Sequence, residues 1–259
     1  MSRDVKEYFD NESSIYERIR WRGNFVTEYD FDVTKEALRS LMDNDSEFFL
    51  DIGCGPGIWL EEFCTKKKIC VGIDISDKML KICKRKHLPN VDLVVADCHK
   101  LPFRDEIFTS ILSSRVFIYL RLEEALKEVK RVLKEKNCFI LLVQIERKSL
   151  YFKLWRFLKK SKKFLENANY LTAYDLIERV SKHFQVKTTK GVIFHEHISM
   201  QASSLPFIIF ILNYLYLKPM KALEMRFSNS FFKYFYASSI AMKLCKGTDS
   251  PRKEFSSTN

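Results

Sequence analysis

Phe49-Leu50-Asp51-Ile52-Gly53-Cys54-Gly55-Pro56-Gly57 is the stretch on which the reading of this chain turns. The 259 residues include seven glycines, and three of them alternate here. A cluster this tight between an apolar run and a helical pattern brings backbone close to a ligand, where a side chain would obstruct. A merely tight turn is the other reading. The dinucleotide-binding pattern G-x-G-x-x-G is not met, because the position three beyond Gly55 is Ile58. Asp51 also stands where a pyrophosphate would approach a helix N-terminus, and like charges repel. A ligand bearing an ammonium or a sulfonium suits the same geometry.

On both sides of this stretch short apolar runs alternate with helical periodicity. Strands are expected at Phe48–Leu50, Cys70–Ile73, Val91–Val95, Phe108–Leu112, Cys138–Val143, Val186–Phe194 and Ser238–Leu244. Helices are expected after Ser14 (a capping box with Glu17), from Val33 through Leu41, after a Ser76 cap, over Leu122–Leu133, and after a Thr172 cap. This alternation implies an α/β fold: a Rossmann-like, mostly parallel seven-stranded sheet with helices on both faces and a C-terminal antiparallel hairpin. Asp74 closes the second strand, 23 residues after Asp51, where a carboxylate can accept from both hydroxyls of a ribose. Asp97, followed by Cys98, closes the third and can accept from an adenine amine. Three acids at the carboxyl ends of successive parallel strands converge on one crevice. S-adenosylmethionine carries the ribose, the adenine and both cations.

Three segments resemble the class I S-adenosylmethionine-dependent methyltransferases: the glycine stretch, Val71-Gly72-Ile73-Asp74-Ile75-Ser76, and Ala96-Asp97-Cys98-His99-Lys100-Leu101-Pro102-Phe103. The branch most alike includes the ubiquinone and menaquinone biosynthesis enzymes. Tyr8-Phe9-Asp10 through Tyr16 is similar to that branch's N-terminal lid, and Tyr170-Leu171-Thr172 to the approach to its last hairpin. The resemblance covers roughly residues 5–200 and is specific to cofactor use rather than to substrate. It implies that Asp51 and the backbone of Gly53, Cys54, Gly55 and Gly57 hold the methionine moiety. It implies further that Asp74 binds the ribose, Ile75 packs on the adenine, Asp97 and Cys98 meet the adenine edge, and Ser113 lines the methionine side. Two departures stand out. Thr109 replaces the family's usual Asp, with a structural hydrogen bond expected to loosen, and Ile118 and Tyr119 replace a frequent His pair.

The charge is uneven. Residues 1–50 hold 7 Lys+Arg against 12 Asp+Glu, and the remainder holds 37 against 21. The basic remainder suggests an anionic partner, a membrane surface ahead of nucleic acid, or simply a solvated face. One domain is expected over residues 1–246, with a helical lid over 1–46, substrate-side insertions at 146–168 and 199–236, and a loose tail at 247–259. Tyr151, Leu154, Trp155 and Leu158 recur at helical spacing among lysines, which suits an amphipathic helix on an anionic surface or one packed on the sheet. The apolar run Leu205–Leu217 contains Asn213 and is shorter than the ~20 residues a membrane span needs.

Seven cysteines without a C-x-x-C pair, and no signal-peptide pattern, imply a reduced, cytoplasmic protein, membrane-peripheral at most, with neither disulfide framework nor metal site. The expected acceptor is small and hydrophobic or lipid-like. The alternatives are an RNA methyltransferase, which the absence of a base-modifying motif after the fourth strand disfavours, and a cofactor-binding relative without activity. His195 and His197, alternating on the penultimate strand, are the candidate general bases. Tyr8, Tyr16, Trp21, Arg115 and Trp155 are the candidates for closing the pocket or holding the acceptor.

Overall fold

The computed structural model describes residues 3–16, 25–43, 46–145, 170–192 and 239–247. These form one seven-stranded sheet: β1 (Phe48–Ile52), β2 (Ile69–Asp74), β3 (Val91–Val95), β4 (Phe108–Ser114), β5 (Leu133–Gln144), β6 (Gln185–Val192) and β7 (Ser239–Cys245). Their order is β3-β2-β1-β4-β5-β7-β6. The first five strands pair in parallel, and β7 runs antiparallel between β5 and β6. The described helices are α1 (Arg3–Glu12), α2 (Phe25–Arg39), α3 (Ile58–Phe63), α4 (Asp77–Lys84), α5 (Leu122–Val132) and α6 (Ala173–Ser181), with a 3-10 turn at Phe117–Tyr119.

Side chains alternate across a strand, so a sheet covered on both faces reads as a continuous apolar run. Leu50, Ile111, Phe139, Leu141 and Met242 pack with Ala125, Leu126 and Val129 of α5 and with Leu176 and Val180 of α6. Phe49, Leu112, Ile140, Leu142 and Ala241 face the other way, against Leu38 of α2, Trp59 and Leu60 of α3 and Leu80 of α4. Two of the expected caps are present. Ser76 Oγ accepts from the Met79 N–H at 3.1 Å, and Thr172 Oγ1 accepts from the Asp175 N–H at 3.2 Å. β1 and β4 lie side by side while their successors β2 and β5 depart in opposite directions. The crevice outside their carboxyl ends is therefore the sheet's switch point, where open α/β sheets bind ligands.

Several expectations need correction. A helix ahead of the one expected after Ser14, α1, ends at Glu12, where the chain turns: Ser13 Oγ donates to the Asp10 carbonyl at 2.9 Å and the Ile15 N–H to that of Glu12 at 3.1 Å, and helical backbone resumes at Tyr16. Glu17, the other half of the expected capping box, lies outside the described residues. α2 begins at Phe25, eight residues before Val33, and buries Tyr29, Phe31, Val33 and Leu38. β5 starts at Leu133, ahead of the apolar run, through the polar residues Lys134 to Asn137.

The expected lack of disulfides also fails. Cys138 and Cys245 stand directly opposite in the β5–β7 register and are bonded, as are Cys64, at the end of α3, and Cys70 in β2. Sheet pairing brings residues 107 apart together, which no sequence spacing reveals. Cys54, Cys83 and Cys98 are buried and outside these two bridges. No described helix is long and apolar enough to cross a membrane. The inserted segments 146–168 and 199–236 lie outside the described residues, as does the tail beyond 247.

Candidate active site

The glycine stretch leaves β1 and turns back over the end of β2. The N–H groups of Gly53 and Cys54 both donate to the Ile73 carbonyl, at 2.8 and 2.9 Å. The Gly55 N–H donates to Asp74 Oδ2 at 2.8 Å. Gly53 and Gly55 hold φ of +71° and +53°, the left-handed region that side chains rarely enter. A Cβ on Gly53 would run into the Val116 side chain, whereas one on Gly55 would meet open space. Gly55 thus presents bare backbone to the crevice. Gly57, also left-handed, caps α3 with its Cα side against Cys83.

Asp51 is fully buried, and among the described residues neither carboxylate oxygen has a hydrogen-bond partner. Burial, and then the neighbouring charge of Asp74, push its carboxyl up to about 8. Asp74 is half-buried; desolvation raises it, and the N–H groups of Ser76, Gly55 and Ile75 pull it back, with the balance at about 6. Its Oδ1 accepts from the Ser76 N–H at 2.8 Å. Two neighbouring acids, one of them fully buried, cost free energy unless they hold protons or receive a positive ligand.

The crevice opens at the carboxyl ends of β1, β2 and β4. One wall is Ile52, Gly53, Gly55, Asp74 and Ile75, a second is Ala96 and Cys98, and a third is Ser114, Arg115, Val116 and Tyr119. Phe9 and Tyr16 cover it from the N-terminal segment. The Phe9 ring meets Tyr119 edge-on at 5.6 Å, Tyr16 at 6.1 Å and Tyr8 at 5.2 Å. α1 is held in place by ion pairs from Lys6 to its own Asp10 (2.7 Å) and to Asp77 of α4 (2.8 Å). The Ser76 hydroxyl donates to Asp10 Oδ1 at 2.5 Å.

Asp51, Cys54, Gly57 and Asp97 thus sit around the crevice rather than in its lining, while Gly53, Gly55, Asp74, Ile75 and Cys98 line it. Burial pushes the Cys54 thiol well above its ordinary range and that of Cys98 to about 12, so both are neutral thiols. Ser113 departs from its expected position. Its side chain is fully buried and donates to the Ile52 carbonyl at 3.0 Å, and Ser114 lines the crevice in its place. The Ser114 hydroxyl is buried without a hydrogen-bond partner. Thr109 does not loosen its contact. Its hydroxyl accepts from the Phe48 N–H and donates to the Phe48 carbonyl, both at 3.0 Å, whereas an ionised carboxylate accepts only.

Arg115 lines the crevice as expected and carries φ +62°, a conformation uncommon outside glycine. Tyr16 covers it, but Tyr8 stands one ring back, behind Phe9. Trp21, Trp155, His195 and His197 lie outside the described residues. The sequence reading missed Phe9, Asp10, Ser114 and Tyr119 as parts of this site. Tyr119 was visible only as a missing histidine, and Phe9 and Asp10 as parts of a lid motif without assigned contacts.

Residues 50–141 match the methyltransferase domain family. An uncharacterized protein, MJ1252, of Methanocaldococcus jannaschii is 33% identical over 140 residues, covering 54% of this chain and 51% of that one. The demethylmenaquinone methyltransferase of Staphylococcus epidermidis is 32% identical over 148 residues, covering 53% and 59%. The chain thus spans between half and two thirds of these relatives. A structure from Thermotoga maritima, described as an S-adenosylmethionine-dependent methyltransferase and possible histamine N-methyltransferase, superposes with a TM-score of 0.62. It is 18% identical, covers 94% of this chain and 98% of that one, and so speaks for the fold alone. Family match, strand order and glycine–acid crevice agree: residues 50–141 carry a methyltransferase domain on a Rossmann-like sheet.

Proposed function

We propose that this protein transfers the methyl group of S-adenosylmethionine to a small hydrophobic or lipid-like acceptor. The observation that carries the cofactor half is Asp51, a buried carboxyl with no hydrogen-bond partner among the described residues, beside the half-buried Asp74 and under a loop that exposes bare backbone at Gly55. That donor set fits a ligand with an ammonium and a sulfonium and repels a phosphate. Asp51 and the Gly53–Gly57 backbone would hold the methionine end, with Ser114 replacing Ser113 on that side. Asp74 would take the ribose hydroxyls, Ile75 the adenine face, and Asp97 and Cys98 its edge.

When bound, the cofactor supplies a methyl already activated by the sulfonium. The chain's own residues then bind, orient and exclude water. Phe9, Tyr16 and Tyr119 form an apolar roof that keeps water from the reacting atoms, and in-line placement of the acceptor accounts for much of the acceleration. His195 and His197, three and five residues beyond the end of β6, are the proposed bases for an acceptor that must lose a proton. The aromatic roof favours a greasy acceptor, and the similarity to a demethylmenaquinone methyltransferase points the same way.

The test is transfer of radiolabelled methyl from S-adenosylmethionine to a panel of prenylated quinol precursors, fatty acids, small amines and bulk RNA. Label entering the prenylated or fatty compounds supports the proposal. Label confined to amines or RNA contradicts its acceptor half.

A further inference from the structure

The loop after β3 is tied to α5 from its start to its last turn. Arg131 of α5 donates from Nη2 to the Leu101 carbonyl at 3.0 Å and from Nη1 to the Phe103 carbonyl at 2.7 Å. Glu128 accepts from the Leu101 N–H at 2.8 Å. Nearer the crevice the tie is His99, whose side chain is 7% exposed. Its Nε2 accepts from the Arg121 N–H at 3.1 Å, which leaves the ring proton on Nδ1. Nδ1 lies 2.6 Å from Asp97 Oδ1, and the His99 backbone N–H donates to the same oxygen at 3.0 Å. Arg121 precedes α5 and contributes no side-chain cap, so the imidazole takes up a helix-end N–H.

Asp97, Cys98 and His99 bring three potential metal ligands within 4.8 Å of one another. Both ring nitrogens of His99 are engaged, however, and the Cys98 thiol is held neutral by burial. The arrangement orients a carboxylate instead. A rigid ring spans from a helix end to one oxygen of Asp97, beside the Ala96 and Cys98 wall of the crevice.

We propose that His99 is a positioning residue for adenine recognition: relayed from the start of α5, it fixes the Asp97 carboxylate so that this accepts from the exocyclic amine. This rests on the reading of the crevice as the S-adenosylmethionine site. It makes His99 a determinant of base specificity without contact to the cofactor.

The experiment compares calorimetric affinities for S-adenosylhomocysteine and for S-inosylhomocysteine, in which an oxygen replaces the amine. Wild type is expected to favour the adenosyl compound by about tenfold or more, since the oxo group meets a carboxylate. His99→Ala should lose most of that ratio by weakening adenosyl binding alone. His99→Asn, which keeps a donor near Nδ1, should recover much of it. Glu128→Ala, which frees Leu101 without touching Asp97, should weaken both ligands alike, as loss of loop order alone does. If His99→Ala keeps the wild-type ratio, or weakens both ligands like Glu128→Ala, the inference is overturned while the cofactor site stands. Failure of wild type to bind S-adenosylhomocysteine overturns both.

Discussion

Both carboxylate oxygens of Asp51 are sealed from water without a partner, and Asp74 lies close enough to raise its carboxyl further. At pH 6.5 Asp51 therefore holds its proton, and a cationic ligand favours its ionised form. Cofactor binding at that pH is expected to release close to one proton, read as a dependence of calorimetric heat on buffer ionisation enthalpy. Asp51→Asn should abolish the release and weaken binding by roughly tenfold or more. Unchanged proton release in that variant would assign the effect to another group. Asp74 was legible in sequence as a ribose acceptor. Its second role was not: it anchors the Gly55 N–H, because a loop hydrogen bond between residues 19 apart leaves no periodic trace.

At the scale of elements, α1 covers the crevice through contacts that sequence alone does not pair. Lys6 and Asp77 are 71 residues apart, and Asp10 reaches the hydroxyl that also caps α4. Asp10→Ala is expected to weaken cofactor binding about three- to tenfold through the loss of its charge-assisted bonds to the part-buried Ser76 hydroxyl and to Lys6. Its melting temperature should stay close to wild type, because the lid contributes little to the two cores. A large drop in melting temperature would instead make α1 part of the folding unit. The strands were readable because burial on both faces leaves unbroken apolar runs, as in Phe139-Ile140-Leu141-Leu142-Val143. α1 was not, since Asp4, Lys6, Glu7 and Asp10 leave few apolar positions to define a face. The start of β5 was hidden likewise, because Lys134 to Asn137 lie at a shift in the β4–β5 register, outside the core, where apolar side chains are not required.

Over the whole molecule the same acids set a pH dependence. Asp51, at about 8 when folded, stands near 3.9 when unfolded, so between those values the folded state holds an extra proton. Stability is therefore greatest toward the acid end of this window and falls as pH rises through it, by up to about 1.4 kcal/mol per pH unit for a full proton. Asp74 adds a like fall up to about 6. Urea midpoints should decline from pH 6 to pH 8, and Asp51→Asn should flatten that decline. Reduction is a separate lever. The Cys138–Cys245 bond closes a loop of 107 residues, and its loss is expected to cost about 2–4 kcal/mol, read as a lower urea midpoint in dithiothreitol and in Cys138→Ser. Equal midpoints with and without reductant would show that the bond adds nothing to stability. The cysteine pattern failed as a guide because pairing across β5 and β7 depends on sheet register, not on spacing.

The most direct test of the account is calorimetric titration of the protein with S-adenosylmethionine and its demethylated product, alongside Asp74→Ala. The account predicts saturable binding of both by wild type and its loss in the variant. Wild type that binds neither would contradict the assignment of the crevice, leaving the fold without the ligand argued for it.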